Sequence, residues 1–245
     1  NARLYEEQRV FTAIVNHEIR NAVAGVLGWT ERLGRLAEGG AEPGALAEAA
    51  RYAREAAANL HKLVADLLEL SRIESGRVEL AQAETDVGAA IRDAVAFCRP
   101  SADNRHVSIR VEEAEAIPTL VTDGRRVRQI LLNLLSNAIK FTEEGTAVTV
   151  RLRAADGGGV AIDVLDRGPG VPPEEREAIF AAYRQVNRAH GEVGTGLGLT
   201  VSRALARLLG GDITVTDAPG GGACFTLVLP ANARDGERAR EGARG

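Results

Sequence analysis

Methionine is absent, lysine and cysteine occur twice each, and no apolar run approaches membrane-spanning length. Each shortage excludes something. Cys98 and Cys224 lie far apart, outside any CxxC or His/Cys spacing. That rules against a disulfide framework or a zinc site and fits idle thiols in a reducing, cytoplasmic compartment. A membrane helix needs about 20 consecutive apolar residues; neither such a run nor a signal peptide is present, so no membrane contact is expected of this segment. The chain opens at Asn1 without methionine, and the expectation is a piece of a longer protein with any sensor upstream. No stripe of one charge sign stands out. Thirty basic and 34 acidic residues interleave to a net charge of −4, which argues against a nucleic-acid partner. Only Lys62 and Lys140 are lysines, so a lysine at a chemically loaded place carries weight. What is present is ordinary in bulk: 45% apolar and 26% charged over 245 residues allows a sizeable core in one large or two smaller domains.

Two long helical patterns come first. Val15, Ile19, Ala22, Val26, Trp29, Leu33 and Leu36 recur at steps of three and four, and "GGAEPG" (39–44) then breaks the pattern. Leu46, Ala53, Leu60 and Leu67 next alternate with Ala49, Ala56, Leu63 and Leu70, a heptad seam. Two such helices with a short loop predict an antiparallel hairpin over residues 1–77. Its apolar stripes cannot be buried by the hairpin alone, which predicts a homodimer closing a four-helix bundle.

From residue 78 the texture changes. "VSIRVEE" (107–113), "TAVTVRLRAA" (146–155) and "GVAIDVLDRG" (159–168) alternate as half-buried strands do. "DGRRVRQILLNLLSNAIKF" (123–141) and "LGLTVSRALARLLGG" (197–211) read as amphipathic helices, and "GDITVTD" with "GACFTLVLP" as a closing hairpin. Without strict βαβ alternation, residues 78–232 predict an α+β two-layer sandwich rather than a doubly wound sheet. The polar, Gly-rich tail 233–245 is expected to be disordered.

Two glycine stretches require an explanation: "DRGPG" (166–170) after a strand and "GTGLGL" (194–199) before a helix. Glycines let backbone amides approach a phosphate, and a helix N-terminus adds a favourable dipole. Neither stretch is a GxxxxGK loop or a dinucleotide fingerprint. Asn133, Asn137 and Lys140 fall at i, i+4 and i+7 of one helix and share a face. Amide oxygens suit hydrated Mg2+, and a lone lysine suits a nucleotide phosphate. Singly each is a solvated surface group; together with both glycine stretches they indicate a nucleotide site.

Five stretches, in order, resemble one family. "NHEIRN" is similar to the H box of sensor histidine kinases, "NLLSNAIKFT" to their N box, "DRGPG" to G1, "IFAAYRQV" to the F box and "GTGLGL" to G2. The resemblance spans residues from about 10 to 230. It implies a dimerising, phosphoaccepting hairpin followed by an ATP-binding domain of the sandwich type shared with gyrase and Hsp90-like ATPases. It also implies a response-regulator receiver domain as partner, with ATP and Mg2+ as cofactors. Carried over by position, it assigns Asp166 to the adenine amine and Gly168 and Gly170 to the pocket floor. Asn137, with Asn133, would reach Mg2+. Lys140 would touch phosphate and Phe141 would pack beside the nucleotide. Gly194, Thr195, Gly196, Leu197 and Gly198 would close on the triphosphate. "RQVNRAHGEV" (184–193) resembles the ATP lid, where Arg184, Arg188 and His190 are either phosphate partners or solvated loop charges. Thr226 is expected near the adenine.

At 100° per residue, His17 lies about 200° from the centre of the apolar stripe, so it points to solvent. A lone exposed histidine is by default a surface residue; the five boxes make it the expected phosphoacceptor. Glu18 adjoins it and Asn21 lies one turn on. A carboxylate on one ring nitrogen would fix the tautomer and leave the other as nucleophile. The family's commonest form has threonine at Asn21 and proline at Ala22. With Glu18, Asn21 makes an acid-x-x-amide pattern associated with dephosphorylating the partner's aspartate. Ala22 predicts a straighter helix, because proline would remove a hydrogen bond and bend it, and an altered kinase–phosphatase balance. Val193 stands where the family has a further glycine, stiffening the lid hinge. Two rivals remain: a silent dimeric scaffold, against which Asn137, Asp166 and the G2 glycines speak, and a plain gyrase–Hsp90-type ATPase, which the hairpin and H box disfavour.

Overall fold

The computed structural model describes residues 2–114, 117–155, 158–181 and 196–231, with side chains from Val15 onward, Glu18 excepted. The chain divides into two compact units: the hairpin as far as Ser71, and a sheet unit holding Arg72–Ala181 and continuing from Gly198.

The hairpin is α1 (Ala2–Glu38) and α2 (Pro43–Glu74). Every stripe residue predicted on α1 from Val15 to Leu36 is half-buried, while the residues between them are mostly exposed. On α2, Ala49, Leu63 and Leu70 are fully buried and the rest of the seam is half-buried. Gly25 faces Ala56 across the hairpin; a Cβ there would sit 3.8 Å from that of Ala56, an ordinary packing distance. Trp29 stacks on Tyr52 with ring centroids 4.4 Å apart, and Arg51 caps the stack 4.2 Å from the Tyr52 centroid. The helix runs unbroken through Ala22, in keeping with the absence of proline.

The sheet unit carries β1 (Ala83–Thr85), α3 (Val87–Asn104), β2 (Ser108–Glu113), β3 (Leu120–Thr122) and α4 (Gly124–Phe141). There follow β4 (Ala147–Ala154), β5 (Val160–Leu165), α5 (Gly198–Leu208), β6 (Asp212–Asp217) and β7 (Ala223–Leu229). The main sheet has order β2-β4-β5-β7-β6, with β2 and β4 parallel and the other neighbours antiparallel, and β1 pairs β3 separately. The closing hairpin is β6–β7, as its sequence predicts.

Parity decides what each strand residue does, because side chains alternate between faces. Val148, Val150 and Leu152 of β4 and Ile162 and Val164 of β5 are sealed beneath the helices. On the opposite face Arg151 pairs with Glu112 and Arg153 with Asp163, which is itself only 5% exposed. Helix α4 is amphipathic for the same purpose: Val127, Ile130, Leu131, Leu134, Leu135, Ala138 and Ile139 are buried. Its N-cap is Asp123, whose carboxylate accepts from the amides of Ala81, Arg125 and Arg126. Burial would raise that carboxyl, but those three amides and nearby Arg125 outweigh it and hold it below the ordinary range. The predicted tail lies outside the described residues.

Candidate functional site

On α1, His17 and Asn21 stand one turn apart and both are exposed, while Val15, Ile19 and Ala22 are half-buried. The phase expected of His17 is therefore the one observed. Asn21 Nδ2 lies 3.1 Å from His17 Nδ1. An amide nitrogen can only donate, so in this orientation of the Asn21 amide Nδ1 is the acceptor. The side chain of Glu18 lies outside those described.

The second cluster is built where β5 ends beside α4 and β7. Positions 162 and 164 face the helices, and Asp166 continues that parity beyond the strand. It is 5% exposed, and its Oδ1 accepts from the amides of Gly168 and Ala223, each at 2.9 Å. Oδ2 takes no hydrogen bond from the described residues. Burial pushes the carboxyl up, and those two amides offset only part of the rise. A clamped carboxylate with one free oxygen is a fixed acceptor for a ligand's N–H.

The surrounding loop is pinned. Thr142 Oγ1 accepts from the Arg167 amide at 3.1 Å, and Arg167 Nη1 donates to Pro219 O at 2.7 Å. Gly168 has no room for a side chain, since a Cβ would lie 2.6 Å from Phe141 O. Gly170 and Gly196 take positive φ, 74° and 66°, which glycine adopts without strain. Phe141 ends α4 42% exposed, with Lys140 Nζ 5.1 Å from its ring centroid. Leu197 is fully buried and Gly198 opens α5. Gly194, Thr195, Arg184, Arg188, His190 and Val193 lie outside the described residues.

The two asparagines part company. Asn137 is half-buried, and its amide makes no side-chain hydrogen bond with the described residues. Asn133 Nδ2 donates to Ser202 Oγ of α5 at 3.0 Å. Among the described residues no three His, Cys, Asp or Glu side chains gather as a metal cluster. A cation here would be held by one amide oxygen, water and its ligand's own oxygens, which suits Mg2+. Asn137 fits that part; Asn133 gives its Nδ2 to Ser202, which leaves its Oδ1, the atom a cation would take, beside Gly198.

Thr226 is a correction. It pairs with Asp163 across β5–β7 and donates to Asp163 Oδ1 at 2.8 Å, on the sheet face opposite the one Asp166 occupies. The last-strand residue beside Asp166 is Ala223, one of three positions the sequence reading passed over with Thr142 and Arg167. Alternation counted back from buried Leu227 and Phe225 is the signal that would have found Ala223.

Comparison with known proteins identifies the assembly. The "Histidine kinase-, DNA gyrase B-, and HSP90-like ATPase" family matches residues 122–233, and the "His Kinase A (phospho-acceptor) domain" matches residues 7–76. The chain belongs to the sensor histidine kinases. It is 35% identical over 236 residues to the aerobic respiration control sensor protein ArcB of Escherichia coli K12, covering 94% of this chain and 29% of that protein. It is 34% identical over 221 residues to the histidine protein kinase DivJ of Caulobacter vibrioides, covering 90% of this chain and 37% of that one. The chain thus spans about a third of the curated relatives it matches. Among solved structures, full-length ShkA, in complex with AMPPNP, superposes with TM-score 0.67 at 33% identity, over 91% of this chain and 45% of that one. The histidine kinase AdeS of Acinetobacter baumannii also gives 0.67, over 88% of this chain and 98% of that one, and its 21% identity speaks to fold alone.

Proposed function

We propose that this chain is the catalytic core of a homodimeric histidine kinase. It moves the γ-phosphoryl group of ATP to His17 and then to an aspartate on a response-regulator receiver domain. The observation that carries the reading is Asp166, buried, clamped through Oδ1 and, among the described residues, taking no hydrogen bond at Oδ2. Oδ2 accepts from the adenine amine. Gly168 and Gly170 leave room for the base, Phe141 flanks it, and Lys140 with the glycines through Gly198 receives the phosphates. Asn137, with Asn133, would hold Mg2+, which when bound would neutralise charge on the transferring group.

At the acceptor, the ring nitrogen without a proton is the nucleophile; its lone pair forms the N–P bond as the γ-phosphorus–oxygen bond to ADP breaks. Asn21 governs which nitrogen that is. With its NH2 toward Nδ1, the proton stays on Nε2; turned by half a rotation, its oxygen accepts from Nδ1–H and Nε2 becomes the nucleophile. Glu18 is the proposed acceptor of the ring proton and, with Asn21, the proposed seat of dephosphorylation of the partner's aspartate.

The dimer follows from what the hairpin leaves uncovered. Val23, Leu27, Val64 and Leu68 are 37%, 56%, 41% and 56% exposed, and on each helix they stand one turn apart. A second copy covers them in a four-helix bundle. The test is incubation with γ-labelled ATP and Mg2+: the parent chain takes up label and His17→Gln does not. Undiminished label on His17→Gln would refute the assignment.

A further inference from the structure

We infer that Asn133, through its Nδ2, and Ser202 form a spacer that sets the gap between α4 and the N-terminus of α5, so Ser202 is a positioning residue of the nucleotide site. The inference rests on the nucleotide-site reading above. Asn133 stands one turn before Asn137 on α4, and its Nδ2 donates to Ser202 Oγ at 3.0 Å. Ser202 is 3% exposed. A buried hydroxyl–amide pair is satisfied in one register only, because any slip strands two polar groups in an apolar contact.

The same amide touches α5 at a second point. A Cβ on Gly198 would overlap Asn133 Oδ1 and would lie 3.1 Å from its Cγ. Gly198 and Ser202 are four residues apart and so share a helix face. One side chain on α4 therefore meets α5 at two stacked positions, one by a hydrogen bond and one by the absence of a side chain. Two contacts fix rotation as well as distance. Gly198 begins α5, where amides without helical partners would meet phosphate, while Asn137 and Lys140 reach from α4. The spacer sets the separation of those two groups and leaves the Asp166 end of the site alone.

The test is calorimetric titration of the whole chain with ADP and, separately, with adenosine, each with Mg2+ and with a chelator. The variants are Asn133→Ala, Ser202→Ala and the double substitution. One neutral hydrogen bond predicts a loss of about fivefold in ADP affinity for either single variant with the chelator present, and the same factor for Ser202→Ala with Mg2+. The double variant is expected to be no weaker than either single one, and adenosine affinity to be unchanged. If Asn133→Ala does not fold, Ser202→Ala decides alone. ADP affinity at the parent value in Ser202→Ala, a loss in Asn133→Ala confined to Mg2+, or an equal loss for adenosine would each overturn the spacer. A parent chain that binds no ADP would remove the nucleotide-site reading and the spacer with it.

Discussion

The hairpin and the sheet unit bury themselves to very different degrees. Among its described residues the hairpin has three fully buried side chains, Ala49, Leu63 and Leu70. The sheet unit has a continuous core from Ile91 and Val127 through Ile162 to Leu227. The hairpin leaves apolar side chains uncovered and carries exposed His17 away from its half-buried stripe, whereas the sheet unit holds Asp166 against a packed wall. Chemistry placed on the hairpin must therefore tolerate partner exchange, whereas recognition placed on the sheet unit can rely on fixed geometry. Substitutions should separate along that line.

The largest expected effect is at the acceptor: His17→Gln abolishes phosphate uptake while ADP binding, measured by calorimetry, stays at the parent value. Next is Asp166→Asn. Its oxygen can still accept from Gly168 and Ala223, but an NH2 then replaces the free oxygen and opposes the adenine amine. Loss of a charge-assisted hydrogen bond, worth about 1.5–3 kcal/mol, predicts roughly 10- to 100-fold weaker ADP binding, with the dimer intact. Leu27→Asp combined with Leu68→Asp works the other way: sedimentation should show a monomer, and ADP affinity should not change. Gly168→Ala forces a methyl against Phe141 O and is expected to cost about 1–3 kcal/mol in denaturant unfolding.

The smallest effect is in pH. Asp212 feels burial first, which would raise it, but hydrogen bonds from Arg203, Arg207 and its neighbour's amide leave it low. Asp123 is also low. A depressed carboxyl contributes stability that is present above its unfolded value, about 4, and is lost as pH falls through the lower folded value. Asp166 is raised, so its sign is opposite: the folded state is relieved, not weakened, when it protonates. Acidification should thus remove ADP affinity before circular dichroism reports unfolding. Simultaneous loss would contradict this assignment of the three carboxyls.

Much of this division was legible in the residues. Steps of three and four marked the α1 stripe, and the heptad seam marked α2, because a helix records burial in its period. Five ordered boxes singled out His17, Asn137 and Asp166, the residues to which the proposal gives roles. What was not legible depended on pairing. Helix α3, interrupted in pattern by Pro100, and the parallel β2–β4 pair went unread. Thr226 was assigned to the wrong side because face follows register, and register is set by the neighbouring strand. The hydrogen bond from Asn133 to Ser202 of α5, 69 residues on, could not be read from the helix pattern either.

The most direct test of the central claim is the linkage formed with γ-labelled ATP. A phosphoryl group on an imidazole nitrogen should be lost in acid, kept in alkali, and recovered on the peptide containing His17. Label that survives acid, or that maps to any other residue, would contradict the account.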